Sequence, residues 1–207
     1  MKGDQRPAIR KRDWRATGTR ANKKQIPHPQ TARVRDDKFV VIVRTWGPAV
    51  LDPYTFMAIT VRGYEAQDFA KLFKLDQACF PPGISYSKWS LQYFLGLPAA
   101  DCLVAEENKH ILGFILAEKN PPLAHIITLD IAPEQRRTGL GSRLLNEMER
   151  HFRFHEVRAV LLETAVENES AIAFWEHHGY RTEAVLKKYY LGRVDAYEMR
   201  KRLEGNG

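Results

Sequence analysis

Apolar residues recur along this chain with two different periods, and the points where one period gives way to the other outline its elements. Ala58-Ile59-Thr60-Val61-Arg62 reads as a strand, after which Phe69, Leu72, Phe73 and then Cys79 or Phe80 recur at helical spacing until Pro81-Pro82-Gly83 ends the helix. Ser87 is placed to cap a second helix whose apolar positions are Trp89, Leu91, Tyr93, Phe94 and Leu95. Cys102 to Ala105 and Ile111 to Leu116 read as two strands of a hairpin turning at Glu107-Asn108-Lys109, and a further run, His125 to Ile131, stops at Pro133. Leu140, Leu144, Leu145, Met148 and Phe152 share one helical face. Val160 to Thr164 is strand-like, Ala171, Ile172, Phe174 and Trp175 mark a helix closed by Gly179, and Tyr180 to Leu186 and Ala196 to Leu203 are strands again. The order β-α-α-β-β-β-α-β-α-β-β mixes meanders with helical crossovers and predicts an α/β fold on a single mixed sheet.

Residues 1–37 keep no such period and are broken by Pro7, Gly18, Pro27 and Pro29, so they are expected to form a disordered leader. Residues 38–56 hold one more strand-like run, Phe39 to Val43, followed by breakers at Gly47, Pro48 and Pro53. The recognisable domain is expected over 57–204, and Met57, immediately before its first strand, is the expected native start. Charge follows the same division. The chain totals +7, but residues 1–35 hold eleven Lys and Arg against two Asp, a balance of +9 that leaves −2 for the rest. Nucleic-acid contact is therefore a property to look for in the leader alone. No apolar run approaches the length of a membrane helix, and the first twenty residues lack the apolar core of a secretory signal, so a cytoplasmic protein without a membrane partner is expected. The two cysteines, Cys79 and Cys102, sit among apolar neighbours in no metal-ligand spacing and read as reduced core residues; no metal is expected.

The chemistry concentrates in Ile131-Ala-Pro-Glu-Gln135-Arg136-Arg137-Thr138-Gly139-Leu140-Gly141-Ser142, a strand, a glycine-containing turn and a helix start. Amides at such a helix start have no intrahelical acceptor, and the helix dipole places positive charge there. Gly139 and Gly141 leave room for phosphate oxygens to reach the backbone, and Arg136 and Arg137 add full charge. A Walker loop would need Gly-Lys-Ser or Gly-Lys-Thr, which is absent. A dinucleotide fingerprint would need a third glycine or alanine where Leu144 stands.

Gln135-x-x-x-Gly139-x-Gly141 after a strand resembles the pyrophosphate-binding motif of the GCN5-related N-acetyltransferases (GNAT). The block from Glu163 through Asn168, Ala171, Phe174 and Trp175 to Gly179-Tyr180 is similar to a second motif of that superfamily. The likeness spans about 59 to 203 and is greatest to RimI-type and other protein N-terminal acetyltransferases. It implies the GNAT fold, a mostly antiparallel central sheet with helices on both faces, and acetyl-coenzyme A as acetyl donor. It also implies that the pantetheine arm pairs with Leu129, Asp130 and Ile131, that the pyrophosphate sits over Arg136, Arg137, Thr138, Gly139, Leu140, Gly141 and Ser142, and that Asn168 contacts the coenzyme arm.

By the same resemblance Glu163 occupies the position of a general base, although strand alternation would also allow it to face outward. His125 matches a position where some relatives carry a tyrosine base; it is either a second candidate base or a structural histidine. The family's usual tyrosine acid is replaced by Trp175, which is expected to pack beside the thioester and leaves Tyr189, Tyr190 or water to supply a proton. A thiol with a pKa of about 8.5 can depart without full protonation, so the replacement bears on the acid more than on the activity. The peptide-side loop would be Phe80-Pro81-Pro82-Gly83-Ile84-Ser85-Tyr86, with Lys188-Tyr189-Tyr190 as the clamp on a peptide N-terminus. At pH 7 roughly 10% of an α-amine but only about 0.04% of a lysine amine is neutral, so an α-amine asks less of the base. A protein N-terminus, a ribosomal protein's among them, is the acceptor this favours; a small amine, a lysine, or coenzyme binding without turnover are the alternatives.

Overall fold

The computed structural model describes residues 59–203, so the readings of the leader, of Phe39 to Val43 and of Met57 fall outside the described residues. The elements run β1 (Thr60–Gly63), α1 (Phe69–Cys79), α2 (Lys88–Leu95), β2 (Ala100–Glu107), β3 (His110–Asn120), β4 (Leu123–Ile131), α3 (Leu140–Phe154), β5 (Ala159–Ala165), α4 (Glu169–His177), β6 (Arg181–Tyr190) and β7 (Val194–Arg202). The seven strands form one sheet in the order β1-β2-β3-β4-β5-β7-β6. Every neighbouring pair is antiparallel except β4 and β5.

Local chemistry explains the boundaries. Ser87 caps α2 by accepting the Ser90 amide at 3.0 Å, which satisfies one of the donors a helix start leaves over. The β2–β3 hairpin turns on Asn108 and Lys109 at φ 50° and 65°, the pair of left-handed residues that a two-residue hairpin loop of matching twist requires. Gly179, at φ 87°, ends α4 as the sequence suggests. Two strands differ from expectation: β6 runs on to Tyr190 and β7 begins at Val194, so Tyr189 and Tyr190 lie on a strand end rather than in the turn. Pairing of Tyr190 with Val194 across the short loop makes the extension possible.

Helices cover both faces. One core gathers Leu140, Leu144, Leu145, Met148 and Phe152 of α3 with Trp175 of α4 against alternate residues of β2 to β5. The other gathers Leu72 and Leu75 of α1 and Leu91 of α2 against Val104, Phe114 and Leu116. Each fully buried leucine or phenylalanine contributes about 1.5–3 kcal/mol, so the α3 face alone is a principal source of stability.

Two irregularities interrupt the pairing of β4. Leu116 faces Thr128 while Ala117 faces Ile126, so Ile127 is an extra residue that bulges the strand. On its other side β4 pairs with β5 over only three rungs, ending at His125 opposite Leu161. Beyond that rung the two parallel strands part.

Candidate active site

The parting of β4 and β5 leaves the backbone of β4 from the bulge to Ile131 without a partner strand on that side, and the first helical turn of α3 begins nine residues later. Gly139 is the N-cap of α3 at φ 89°, a left-handed conformation that a side chain would strain although the space beside it is open. The Arg143 amide is the first to close a helical bond, onto the Gly139 carbonyl at 3.0 Å, so the amides of Leu140, Gly141 and Ser142 have no intrahelical acceptor. Arg136, Arg137 and Thr138 are exposed beside them. Arg136 Nε donates to the Ile131 carbonyl at 3.3 Å and Thr138 Oγ1 to the Gln135 carbonyl at 2.8 Å, which hold the turn against the end of β4.

Gly141 works differently from the sequence reading. A Cβ there would meet Phe174 at 3.4 Å and Ile131 at 3.6 Å, ordinary contacts on the side of α3 that faces the sheet and α4. A Cβ would be accommodated there and would point toward α4 and the sheet. Leu140 is buried in the core, so only its amide faces outward.

At the last rung of the β4–β5 ladder and just beyond it stand the titratable groups. His125 Nε2 and Glu163 Oε2 are 2.8 Å apart, from two different strands, with side chains 41% and 17% exposed. Glu163 is therefore neither a solvated outward residue nor alone. Burial opposes the imidazolium of His125, but the hydrogen bond and charge of Glu163, followed by Glu118 and Glu198, raise its pKa above the ordinary value. Glu118 is the β3 partner of His125, and Glu198 is the β7 partner of Glu163, so the acids flank the pair across the sheet.

Three tyrosines close the arrangement. Tyr190 donates its hydroxyl to the Glu163 carbonyl at 3.2 Å, and its ring meets that of Tyr189 edge to face. Burial, then the neighbouring Glu163, push both phenols well above their ordinary values, so both remain protonated. Tyr86, from the loop between α1 and α2, donates to the Ile127 carbonyl at 3.1 Å, at the bulge itself. Burial, followed by the neighbouring Tyr190 and Tyr189, raises its phenol too. Phe80 is the half-buried C-cap of α1, and Pro81 opens the same loop, exposed.

Trp175 is 7% exposed and packs against Phe174 and Tyr180, so most of its indole lies in the core. Asn168 caps α4, accepting the Ala171 amide at 3.2 Å. Leu129 and Ile131 turn their side chains into the α3 core, and Asp130 turns the opposite way and is buried, so what the three present to the gap is backbone. Sequence reasoning missed Asp76, whose carboxylate accepts the Tyr86 amide at 2.9 Å and holds the α1–α2 loop. The signal was available: an acid one turn after Leu72, on the buried stripe of an amphipathic helix. Among the described residues no group of three His, Cys, Asp or Glu could hold a metal ion, and no helix is long and apolar enough to cross a membrane.

Comparison with known families decides what this geometry is built for, because the model of the acetyltransferase (GNAT) family matches residues 69–180. The chain belongs to that family. It is a GNAT acetyltransferase, and the family's acetyl donor is acetyl-coenzyme A. An uncharacterised N-acetyltransferase of Methanocaldococcus jannaschii is 28% identical over 148 residues, 69% of this chain and 90% of the relative. The catalytic subunit NAA10 of the N-terminal acetyltransferase A complex of Arabidopsis thaliana is 28% identical over 153 residues, 71% of this chain and 79% of the relative. The ribosomal-protein-S18-alanine N-acetyltransferase of Escherichia coli superposes with a TM-score of 0.66 at 22% identity, covering 72% of this chain and 97% of the other. The β4 edge past the ladder and the orphan amides beside two guanidinium groups are of a kind that amide and phosphate groups can bind.

Proposed function

We propose that the chain acetylates the α-amine of a peptide or protein N-terminus, with 57–204 as the catalytic domain. The observation that carries the reading is the 2.8 Å pairing of His125 and Glu163 at the end of the β4–β5 ladder, roofed by Tyr86, Tyr189 and Tyr190. Bound acetyl-coenzyme A supplies the thioester carbonyl. Leu129 to Ile131 receive its arm by backbone hydrogen bonds, and Arg136 and Arg137 with the Leu140, Gly141 and Ser142 amides hold its phosphates.

Glu163 takes the proton of the incoming ammonium, and His125 fixes the carboxylate and shares the charge. An α-amine near pKa 8 surrenders that proton to a carboxylate more readily than a lysine does, which favours the α-amine. Tyr189 and Tyr190 are held as phenols by burial and bond to Glu163, and the departing thiolate, of pKa about 8.5, leaves without full protonation. Tyr86 and the Phe80-Pro81 loop form the acceptor wall opposite them. Relatives that act on N-termini, such as the catalytic subunit in Arabidopsis, support the acceptor class.

A peptide library incubated with acetyl-coenzyme A and read by mass tests the acceptor: α-amine products are expected, and products confined to lysine or small amines overturn it. Glu163→Gln is expected to lower kcat about 10²–10⁴-fold, the usual contribution of a positioned base, with donor affinity kept.

A further inference from the structure

The loop between α1 and α2 is tied to the unpartnered stretch of β4 at both of its ends. At one end Cys79, the last residue of α1, donates its thiol to the Ile131 carbonyl at 3.3 Å. At the other the Tyr86 hydroxyl donates to the Ile127 carbonyl at 3.1 Å. The backbone of Tyr86 is in turn gripped from α1: Asp76 Oδ2 accepts its amide at 2.9 Å, and Gln77 Nε2 donates to its carbonyl at 2.9 Å. Its ring packs edge to face on Phe94 of α2, with centroids 5.5 Å apart. Between the two ties Gly83 turns at φ 93° and leans on the β6–β7 turn, where a Cβ would come within 3.2 Å of Leu191 Cδ2. The loop thus reaches from the β4 edge to the turn that follows Tyr189 and Tyr190.

The ladder between β3 and β4 shows which groups the ties bracket. The Ala132 amide bonds to the Leu112 carbonyl of β3 at 2.8 Å. Bonded and non-bonded residues alternate along an antiparallel pair, so Leu129 and Ile131 turn their backbone N–H and C=O away from β3 and into the gap. The two tied carbonyls, of Ile127 and Ile131, therefore stand on either side of Leu129, at the stretch where the coenzyme arm is proposed to dock.

We propose that Tyr86 and Cys79 are positioning residues that couple the two substrates: an arm docked along Leu129 to Ile131 stiffens the β4 edge, and the two ties pass that order to the loop forming the acceptor wall. A loop fastened at both ends to a strand opens mainly when the strand yields, so a ligand that holds the strand lowers the population of open loop without touching it. The acetyl donor then prepares the acceptor side before any amine arrives. This rests on the proposed docking of the donor arm on β4, and it does not depend on the acceptor being an α-amine.

Amide hydrogen exchange of the whole chain, read by mass with and without saturating acetyl-coenzyme A and with no acceptor present, tests the coupling. The Ile84 and Ser85 amides both bond to the Pro81 carbonyl, at 3.1 and 3.2 Å, so their exchange reports opening of the loop. In wild type acetyl-coenzyme A is expected to slow exchange in residues 127–131 and, in step with them, in 83–86. Tyr86→Phe combined with Cys79→Ala keeps the aromatic ring and removes both tying hydrogens. Without ligand its loop is expected to exchange about 2- to 10-fold faster, the scale of a lost hydrogen bond, and acetyl-coenzyme A is expected to slow 127–131 while leaving 83–86 behind. Loop protection that persists in the double variant would mean that the ligand covers the loop directly, and would overturn the coupling. So would a wild-type loop that ignores a ligand protecting β4. If acetyl-coenzyme A binds by calorimetry yet protects neither stretch, its docking site is not on β4 and the coupling falls with that reading. Should the double variant not fold, Tyr86→Phe alone decides by the same comparison.

Discussion

Gly113 shows how a single missing methyl can hold a strand in place. A Cβ there would lie 2.7 Å from Ile131 Cδ1 and 2.8 Å from the Asp130 carbonyl oxygen, and a backbone atom cannot swing aside as a side chain can. Gly113→Ala is therefore expected to displace the end of β4 at a cost of about 1–3 kcal/mol, with the donor KM rising as well; urea denaturation and donor titration would measure both. His125 carries a different consequence at the same scale. Its raised pKa means that the histidine is still charged somewhat above pH 6.5, where, with Glu163 as the base proposed above, its proton competes with the one that carboxylate would accept. As pH rises through that value the pair becomes competent, so it sets the acid limb of kcat/KM. In His125→Gln the limb is expected to move to lower pH, and a limb that stays put would assign it to another group.

The turn before α3 is the element on which the proposed donor binding depends, and its parts are separable. The orphan amides survive any side-chain change, whereas Arg136 and Arg137 supply the full charges. Replacing both arginines with glutamine is expected to raise the donor KM roughly 10-fold or more, the scale of losing one or two charge-assisted hydrogen bonds, with melting temperature nearly unchanged because both side chains are exposed. This element was legible in the sequence, since glycines, arginines and a helix start at fixed spacing have few other uses. The strands and helices were legible too, because each shows one apolar face at its own period. What escaped was the direction of particular side chains. Gly141 faces α4, and Trp175 sinks into the core, because α4 sits where its aromatic stripe must meet Tyr180; neither can be read from spacing. The bulge at Ile127 was also hidden, since a slip in strand register leaves no mark in a single sequence, and it is the carbonyl of that residue to which the Tyr86 hydroxyl donates.

At the scale of the molecule, stability at low pH hangs on acids paired across elements. Asp101 of β2 is held down to about 2: burial opposes its charge, but His151 of α3 and Lys119 of β3 outweigh it. A carboxylate with a depressed folded value stabilises fully above its unfolded value near 4 and loses that contribution as pH falls toward 2, here of order 2 kcal/mol. Asp101→Asn should flatten the stability profile between pH 4 and 2 in urea titrations, and an unchanged slope would place the acid sensitivity elsewhere. The seam between β4 and β5 has a reach of its own. With three rungs joining them, the β1–β4 and β5–β7 halves of the sheet meet along a line that is stitched at one end and unstitched at the other. A ligand laid in the unstitched end serves the protein as a piece of its own architecture, sewing main chain that is otherwise left loose. Heat resistance should then climb with the logarithm of ligand concentration, and hydrogen exchange along residues 127–131 should slow in step with it.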